Sequence, residues 1–165
     1  MKKRMAMRTG TIAWLVFLFA LCAHAQFSGP GAVQSSSAFS IPQAQVIQAE
    51  ALNKMLQKGG AAKPLVLQVG SHVLFAQAHI PGSEYAGAGS QPEGLQTLQQ
   101  RVSSLSRKAT IVLYCGCCPW NRCPNVGPAF AKLREMGFTN VKVLYLADNF
   151  GTDWVGKGYA VEKGR

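Results

Sequence analysis

Short apolar runs alternate with segments of helical hydrophobic spacing along residues 41–164. Short, nearly continuous apolar runs at residues 64–69, 109–114 and 140–145 are typical of buried strands in a parallel sheet, and residues 45–47 are a further candidate. Apolar positions at helical spacing predict helices over 49–57, from 92 to about 105, and from 126–128 to 136. This order predicts an α/β fold, with a central, mostly parallel sheet and helices on both faces.

Turn-forming residues support these boundaries. Gly59-Gly60 should end the first helix, which should present Ala51, Leu52, Met55 and Leu56 on one face. Pro92 and Pro128 fit first turns of helices, where the missing N–H costs little, and Gly137 should end the third helix.

The N-terminal residues have the pattern of an export signal. Lys2, Lys3, Arg4 and Arg8 precede an apolar run over residues 11–22, and Ala23-His24-Ala25 fits a small-x-small cleavage site. We expect cleavage after Ala25 and a periplasmic location. Because the apolar run is short for a membrane-spanning helix, we expect the protein to contact the membrane only through this signal. Residues 26–40, rich in Gly, Ser, Ala and Gln, read as a flexible linker, which leaves one domain over 41–164.

The net charge changes this picture little. The 165-residue chain carries +10, and loss of residues 1–25 leaves 13 basic and seven acidic residues, a charge of +6. These basic residues are scattered and are not interleaved with aromatic residues, so we expect no nucleic-acid partner. A modest positive charge is compatible with a small anionic substrate.

The candidate chemistry lies between the strand at 109–114 and the following helix, where four of the five cysteines cluster. Cys115 directly follows the strand and faces a predicted helix N-terminus, whose unpaired N–H groups favour a thiolate over a thiol. Cys115 is therefore the first candidate nucleophile. The residues that could contact a substrate there are Gly116, Cys117, Cys118, Trp120, Asn121 and Arg122.

The remaining cysteines leave alternatives open. Cys117, Cys118 and Cys123 could resolve a persulfide or sulfenic acid on Cys115, or could form a structural disulfide in an oxidising compartment. Adjacent cysteines seldom bridge each other, which favours Cys123 as one partner. Four thiolates are enough for zinc, and copper(I) would accept them, but the paired Cys-x2-Cys spacing is absent, and we expect no metal or other cofactor.

Several short motifs resemble those of the rhodanese-like domain family, in the same order along residues 41–164. Residues 79–83 (HIPGS) resemble its HIPGA motif, and residues 111–115 resemble the strand that delivers its catalytic cysteine. Residues 133–145 resemble the following helix and strand, and residues 150–161 resemble its closing segment. The resemblance implies a single rhodanese-like domain.

That resemblance also implies sulfur transfer, in which the cysteine takes the outer sulfur of a small anion such as thiosulfate and passes it to a thiol or cyanide acceptor. Where the family usually has Asp and Arg, this chain has Gln68 and Gly70. The family's Cys-x4-Arg spacing fits Cys117 and Arg122, so Cys117 is the alternative nucleophile. The competing hypotheses are a thiol–disulfide relay and a non-catalytic module that binds a partner or a soft metal.

Overall fold

A five-stranded parallel sheet forms the centre of the domain and confirms the α/β prediction. The computed structural model describes residues 41–60 and 63–164, so the predicted signal peptide and linker lie outside the described residues. The strand order is β1-β5-β4-β2-β3. The strands are β1 (Val46–Gln48), β2 (Leu65–Gln68), β3 (Glu84–Tyr85), β4 (Ile111–Tyr114) and β5 (Val141–Tyr145).

Helices connect these strands and cover both faces of the sheet. They are α1 (Ala49–Lys58), α2 (His72–Gln77), α3 (Pro92–Val102), α4 (Val126–Glu135) and α5 (Phe150–Asp153). Short 3-10 turns occupy Gln43–Gln45, Trp120–Arg122 and Val155–Lys157. Among the described helices, none has the length and apolar character that a membrane crossing requires.

Alternation along β4 divides the core into two layers. Ile111 and Leu113 face one side with α3 and α4, whereas Val112 and Tyr114 face the other side with α1 and α5. Burial of such a side chain stabilises a fold by about 1.5–3 kcal/mol. Because side chains alternate along a strand, Cys115 lies on the same face as Ile111 and Leu113, the face covered by α4, and belongs to the same cluster.

The structure corrects some details of the predicted elements. Ala51 is exposed, and Ala49 and Leu52 are the buried residues of α1. Helix α3 ends at Val102, earlier than predicted. Helix α4 ends where Gly137 predicts, since this glycine has a φ of +87° that other residues seldom adopt.

Candidate active site

The carboxyl ends of the central strands form the floor of the site. Strands β2 and β4 pair in parallel so that Gln68 lies beside Tyr114 at their last residues. The Tyr114 hydroxyl is fixed on the far face of the sheet, where it accepts from the Ile80 amide at 3.3 Å and lies 3.1 Å from Ser83 Oγ. Cys115 follows immediately and is only 4% exposed. The central strands therefore set its position.

An asparagine side chain contacts the Cys115 sulfur directly. Asn125, the residue before α4, donates from Nδ2 to Cys115 Sγ at 3.2 Å. Its Oδ1 accepts from the Ser90 amide at 3.0 Å, which orients the carboxamide. A hydrogen bond donated to sulfur stabilises negative charge there, so Asn125 can hold a thiolate on Cys115.

Gln68 and Gly70 shape the opposite side of the cysteine. Gln68 Nε2 donates to the Cys115 carbonyl at 2.9 Å, and its Oε1 accepts from the Gly70 amide at 3.1 Å. A Cβ at residue 70 would lie 2.7 Å from Cys115 O and 2.8 Å from Cys115 Sγ. With the cysteine in this position, only glycine fits at residue 70.

The loop after Cys115 turns back and brings the sulfurs together. Gly116 has a φ of +84°, which glycine adopts without a Cβ penalty. Cys117 Sγ then lies 3.1 Å from Cys115 Sγ and 2.8 Å from Cys118 Sγ. These contacts are longer than a disulfide bond of about 2.05 Å, and the cysteines are free thiols.

The thiols differ in their protonation. The pKa of Cys123 is lowered from 9.0 to about 6, chiefly by its hydrogen bond with Cys115 and further by the backbone amides of Asn125 and Val126. The same hydrogen bond, together with burial, raises the pKa of Cys115, and the Cys117 amide only partly opposes this. Burial and a hydrogen bond with Cys117 raise the pKa of Cys118 to about 12.

This distribution differs from the sequence expectation, in which the amides at the start of the helix lower the pKa of Cys115. Those amides reach Cys123 instead, since it is the cysteine nearest the N-terminus of α4 in the chain. Cys115 and Cys123 therefore titrate as a coupled pair. Near neutrality the pair holds one proton and one negative charge.

A pocket of about 340 Å³ opens at the cysteine. Cys115, Gly116 and Cys117 line it together with the amide side chains of Gln68, Gln77 and Asn149, and its other lining residues carry no charge. The half-exposed Leu74 and Val155 also belong to its lining. A larger cavity of about 700 Å³ surrounds His72 and His79, but none of the described cysteines lines it, so we assign the chemistry to the smaller pocket.

The structure separates the predicted substrate-binding residues. Gly116 and Cys117 line the main pocket, whereas Cys118 and Trp120 line a cavity of only about 10 Å³, which Cys115, Gly116 and Cys123 also line. The Trp120 ring packs against Tyr145, with ring centroids 5.1 Å apart. Asn121 and Arg122 are exposed, and the structure brings neither of them into these pockets.

Three thiols could also bind a thiophilic metal ion. The sulfurs of Cys115, Cys117 and Cys118 lie within 4.8 Å of one another. Sulfurs that share a tetrahedral zinc with bonds of about 2.3 Å are about 3.8 Å apart. The observed contacts of 3.1 and 2.8 Å would therefore have to lengthen, so this arrangement favours sulfur–sulfur chemistry.

Sequence reasoning missed the role of Asn125. An asparagine just before a helix suggests a helix cap, yet its side chain makes no capping bond and contacts Cys115 instead. In the sequence, Gln68 and Gly70 stand out only as departures from a family pattern. The sequence signal for this contact is a glycine two residues after a buried strand, where a missing side chain indicates that another part of the chain, here Cys115, packs against the backbone.

This geometry defines a class of protein: an α/β domain that presents a cysteine at the carboxyl edge of a parallel sheet, where such folds bind ligands. The rhodanese-like domain family matches residues 48–146, and the chain belongs to this family. No curated protein sequence matches the chain significantly.

Solved structures show the same fold at low identity. The rhodanese-like domain of the Anabaena sp. Alr3790 protein is 22% identical with a TM-score of 0.53, over 72% of this chain and 79% of that one. The BH2092 protein of Bacillus halodurans is 23% identical with a TM-score of 0.56, over 72% and 76%. A persulfide form of the enzyme EanB with ergothioneine is 22% identical with a TM-score of 0.53, over 72% of this chain but 28% of that one.

Proposed function

We propose that this rhodanese-like domain is an exported sulfurtransferase that carries a persulfide on Cys115. The sulfur donor is thiosulfate or a similar small sulfur compound, and the acceptor is a thiol or cyanide. The leader at residues 1–25 directs the protein to the periplasm.

One observation carries the proposal: Cys115 Sγ lies at the end of the central strand, lines an open pocket, and accepts a hydrogen bond from Asn125 Nδ2 at 3.2 Å. A nucleophilic cysteine needs a fixed position, access to substrate and a neighbour that stabilises its anion. The persulfide form of EanB, part of which has the same fold, adds support by analogy.

The donor half-reaction uses the thiol pair. Cys123, with its pKa lowered to about 6, shares one proton and one negative charge with Cys115, and the reacting form is the one in which Cys123 holds the proton. The Cys115 thiolate attacks the outer sulfur of thiosulfate, the bond between the two donor sulfurs breaks, and sulfite leaves with the electron pair. Asn125 then hydrogen-bonds the sulfur of Cys115 in the persulfide.

The acceptor half-reaction restores the enzyme. A cyanide ion or an acceptor thiolate attacks the outer sulfur of the persulfide, and the Cys115 sulfur leaves. The proton held by Cys123 returns to Cys115, which compensates for the poor leaving ability of a thiol with a raised pKa. The pocket's uncharged lining is open enough for either acceptor.

The test is thiocyanate formation from thiosulfate and cyanide by the reduced protein. We expect turnover by the wild type and none by Cys115→Ser, with thermal unfolding confirming that the variant is folded. Absence of turnover in the wild type, or full turnover in Cys115→Ser, would refute the proposal.

Mass spectrometry can locate the persulfide, because trypsin cleaves after Lys108, Arg122 and Lys132. The peptide 109–122 holds Cys115, Cys117 and Cys118, and the peptide 123–132 holds Cys123 alone. Any extra sulfur trapped after brief thiosulfate treatment should lie in the first peptide. An extra sulfur confined to the second would make Cys123 the nucleophile.

A thiol–disulfide relay is the second candidate, and the close approach of three sulfurs favours it. Such a relay would exchange electrons with a partner dithiol and would need no sulfane donor. Thiol counting on protein purified without reductant distinguishes the two: four free thiols in residues 41–164 would argue against the relay.

A further inference from the structure

We propose that Cys117 discharges the Cys115 persulfide within the protein, which releases hydrosulfide and leaves a Cys115–Cys117 disulfide. This inference rests on the proposed function, since it assigns what happens to the persulfide when no external acceptor arrives. It would make the domain a source of sulfide as well as a sulfur carrier.

The first argument is distance. Cys117 Sγ lies 3.1 Å from Cys115 Sγ, which becomes the inner sulfur of the persulfide. This is close to the separation at which reacting atoms are positioned for attack, about 3–3.5 Å. No larger rearrangement of the loop is needed to bring the two sulfurs into contact.

The second argument is the backbone that connects them. Gly116 has a φ of +84°, and the Phe150 amide donates to its carbonyl at 3.0 Å. The turn between the two cysteines is thus anchored to α5 with both sulfurs on the same side. Because the Cys-Gly-Cys segment is already fixed in this turn, closing the disulfide ring loses little further conformational entropy.

The third argument is the neighbour of the attacking sulfur. Cys118 Sγ lies 2.8 Å from Cys117 Sγ and, with its pKa raised to about 12, retains its proton at neutral pH. Its S–H can donate to Cys117 as charge develops there. The three sulfurs form a compact cluster in which Cys117 contacts both of the others.

The step balances as follows. Cys117 attacks the inner sulfur and its proton passes to the outer sulfur, the bond between the persulfide sulfurs breaks, and the outer sulfur leaves as hydrosulfide with the electron pair. The two cysteine sulfurs are oxidised to a disulfide, and the sulfane sulfur is reduced. For thiosulfate, the sum is two thiols and one thiosulfate giving one disulfide, one sulfite, one hydrosulfide and one proton.

The choice of the inner sulfur also follows from the leaving group. Attack on the outer sulfur would expel the Cys115 thiolate, which is the anion of a thiol with a raised pKa. Attack on the inner sulfur expels hydrosulfide, the anion of a stronger acid, and weaker bases leave faster. An external dithiol must then reduce the disulfide before a second turnover.

The experiment is a single turnover of fully reduced protein with excess thiosulfate, without added thiol or cyanide. Sulfite and sulfide are measured, and the tryptic peptide 109–122 is analysed. The wild type should give one sulfide for each sulfite and a peptide lighter by two hydrogens. Fragments cut between Cys117 and Cys118 should still form, because the bridge lies entirely before that bond.

Cys117→Ser separates the steps. Its ratio of sulfide to sulfite should fall at least tenfold, and its peptide 109–122 should be heavier by one sulfur atom. A wild type that yields sulfite and a stable persulfide on Cys115, without sulfide, would overturn this inference and leave the proposed function standing. No sulfite from the wild type would overturn both.

Two further outcomes also count against the inference. Loss of sulfite release in folded Cys117→Ser, with release by the wild type, would make Cys117 the nucleophile. A wild-type bridge that includes Cys118 or Cys123, shown by fragmentation or by linkage to the peptide 123–132, would assign the discharge to a different cysteine.

Discussion

Gly70→Ala should impair sulfur transfer because the new methyl group would occupy space next to the reacting atom. A Cβ there lies 2.8 Å from Cys115 Sγ and 2.7 Å from Cys115 O, whereas ordinary contacts begin at 3.4 Å. The sulfur must therefore move by more than half an ångström, and the Gln68 amide, 3.1 Å from the same Cβ, must also give way.

The magnitude follows from these distances. Misplacement of a reacting atom by about 1 Å can cost 100-fold in rate, so we expect kcat/KM for thiocyanate formation to fall about 10- to 100-fold. Overpacking in a closely packed interior costs about 1–3 kcal/mol of unfolding free energy. The assays are steady-state kinetics with thiosulfate and cyanide, and urea unfolding.

Gly156→Ala is the matched control. Residue 156 is exposed, and an added Cβ would meet its nearest atom, the Gly151 carbonyl oxygen, at 3.3 Å. The control should keep its kcat/KM within about threefold, since small surface changes cost little. A folded Gly70→Ala enzyme with wild-type kinetics would refute the reasoning, because the cysteine position would then not matter at this scale.

Three further predictions concern single side chains. Asn125→Ala should slow sulfur transfer about 10- to 100-fold, because a hydrogen bond to a charged group is worth about 1.5–3 kcal/mol, whereas Asn140→Ala, at the opposite edge of the sheet, should not. Alkylation of Cys123 by iodoacetamide, followed on its own tryptic peptide, should rise through a midpoint near pH 6, because the lowered pKa leaves the thiolate present above that pH and protonated below it. Tyr114→Phe should lower the unfolding free energy by about 1–3 kcal/mol in urea titration, because a buried amide loses its acceptor.

Each of these predictions has a contradicting result. Equal rates for the two asparagine variants would show that the contact with sulfur does not affect reaction. An alkylation midpoint near pH 9 would mean that neither the hydrogen bond with Cys115 nor the amides at the start of α4 stabilise the Cys123 thiolate. Unchanged stability of Tyr114→Phe would mean that water replaces the lost hydroxyl.

The proposed pocket also bears on the choice of donor. Thiosulfate is a dianion, but the described residues that line the pocket at Cys115 carry no charged side chain. The neutral amides of Gln68, Gln77 and Asn149 can hydrogen-bond oxygens, while Leu74 and Val155 offer apolar contact. An organic persulfide therefore suits this pocket at least as well as thiosulfate, and both donors belong in the assays.

Long, periodic segments were predictable because their patterns are local. The three central strands and helices α1, α3 and α4 lie close to their predicted positions. By contrast, β3 has only two residues, too few to show alternation, and α2 has six residues with Val73 and Leu74 exposed, so neither has a recognisable hydrophobic period. Their positions depend on pairing and packing with distant residues.

The sequence by itself determined the α/β fold, the family, and the position of a cysteine directly after a buried strand, because these follow from hydrophobic periodicity and local order along the chain. Only the tertiary structure decided which thiol holds the negative charge and which side chains contact Cys115. Those properties depend on burial and on hydrogen bonds between residues that are distant in sequence, such as Gln68 and Cys115, or that lie across a loop, such as Cys115 and Asn125.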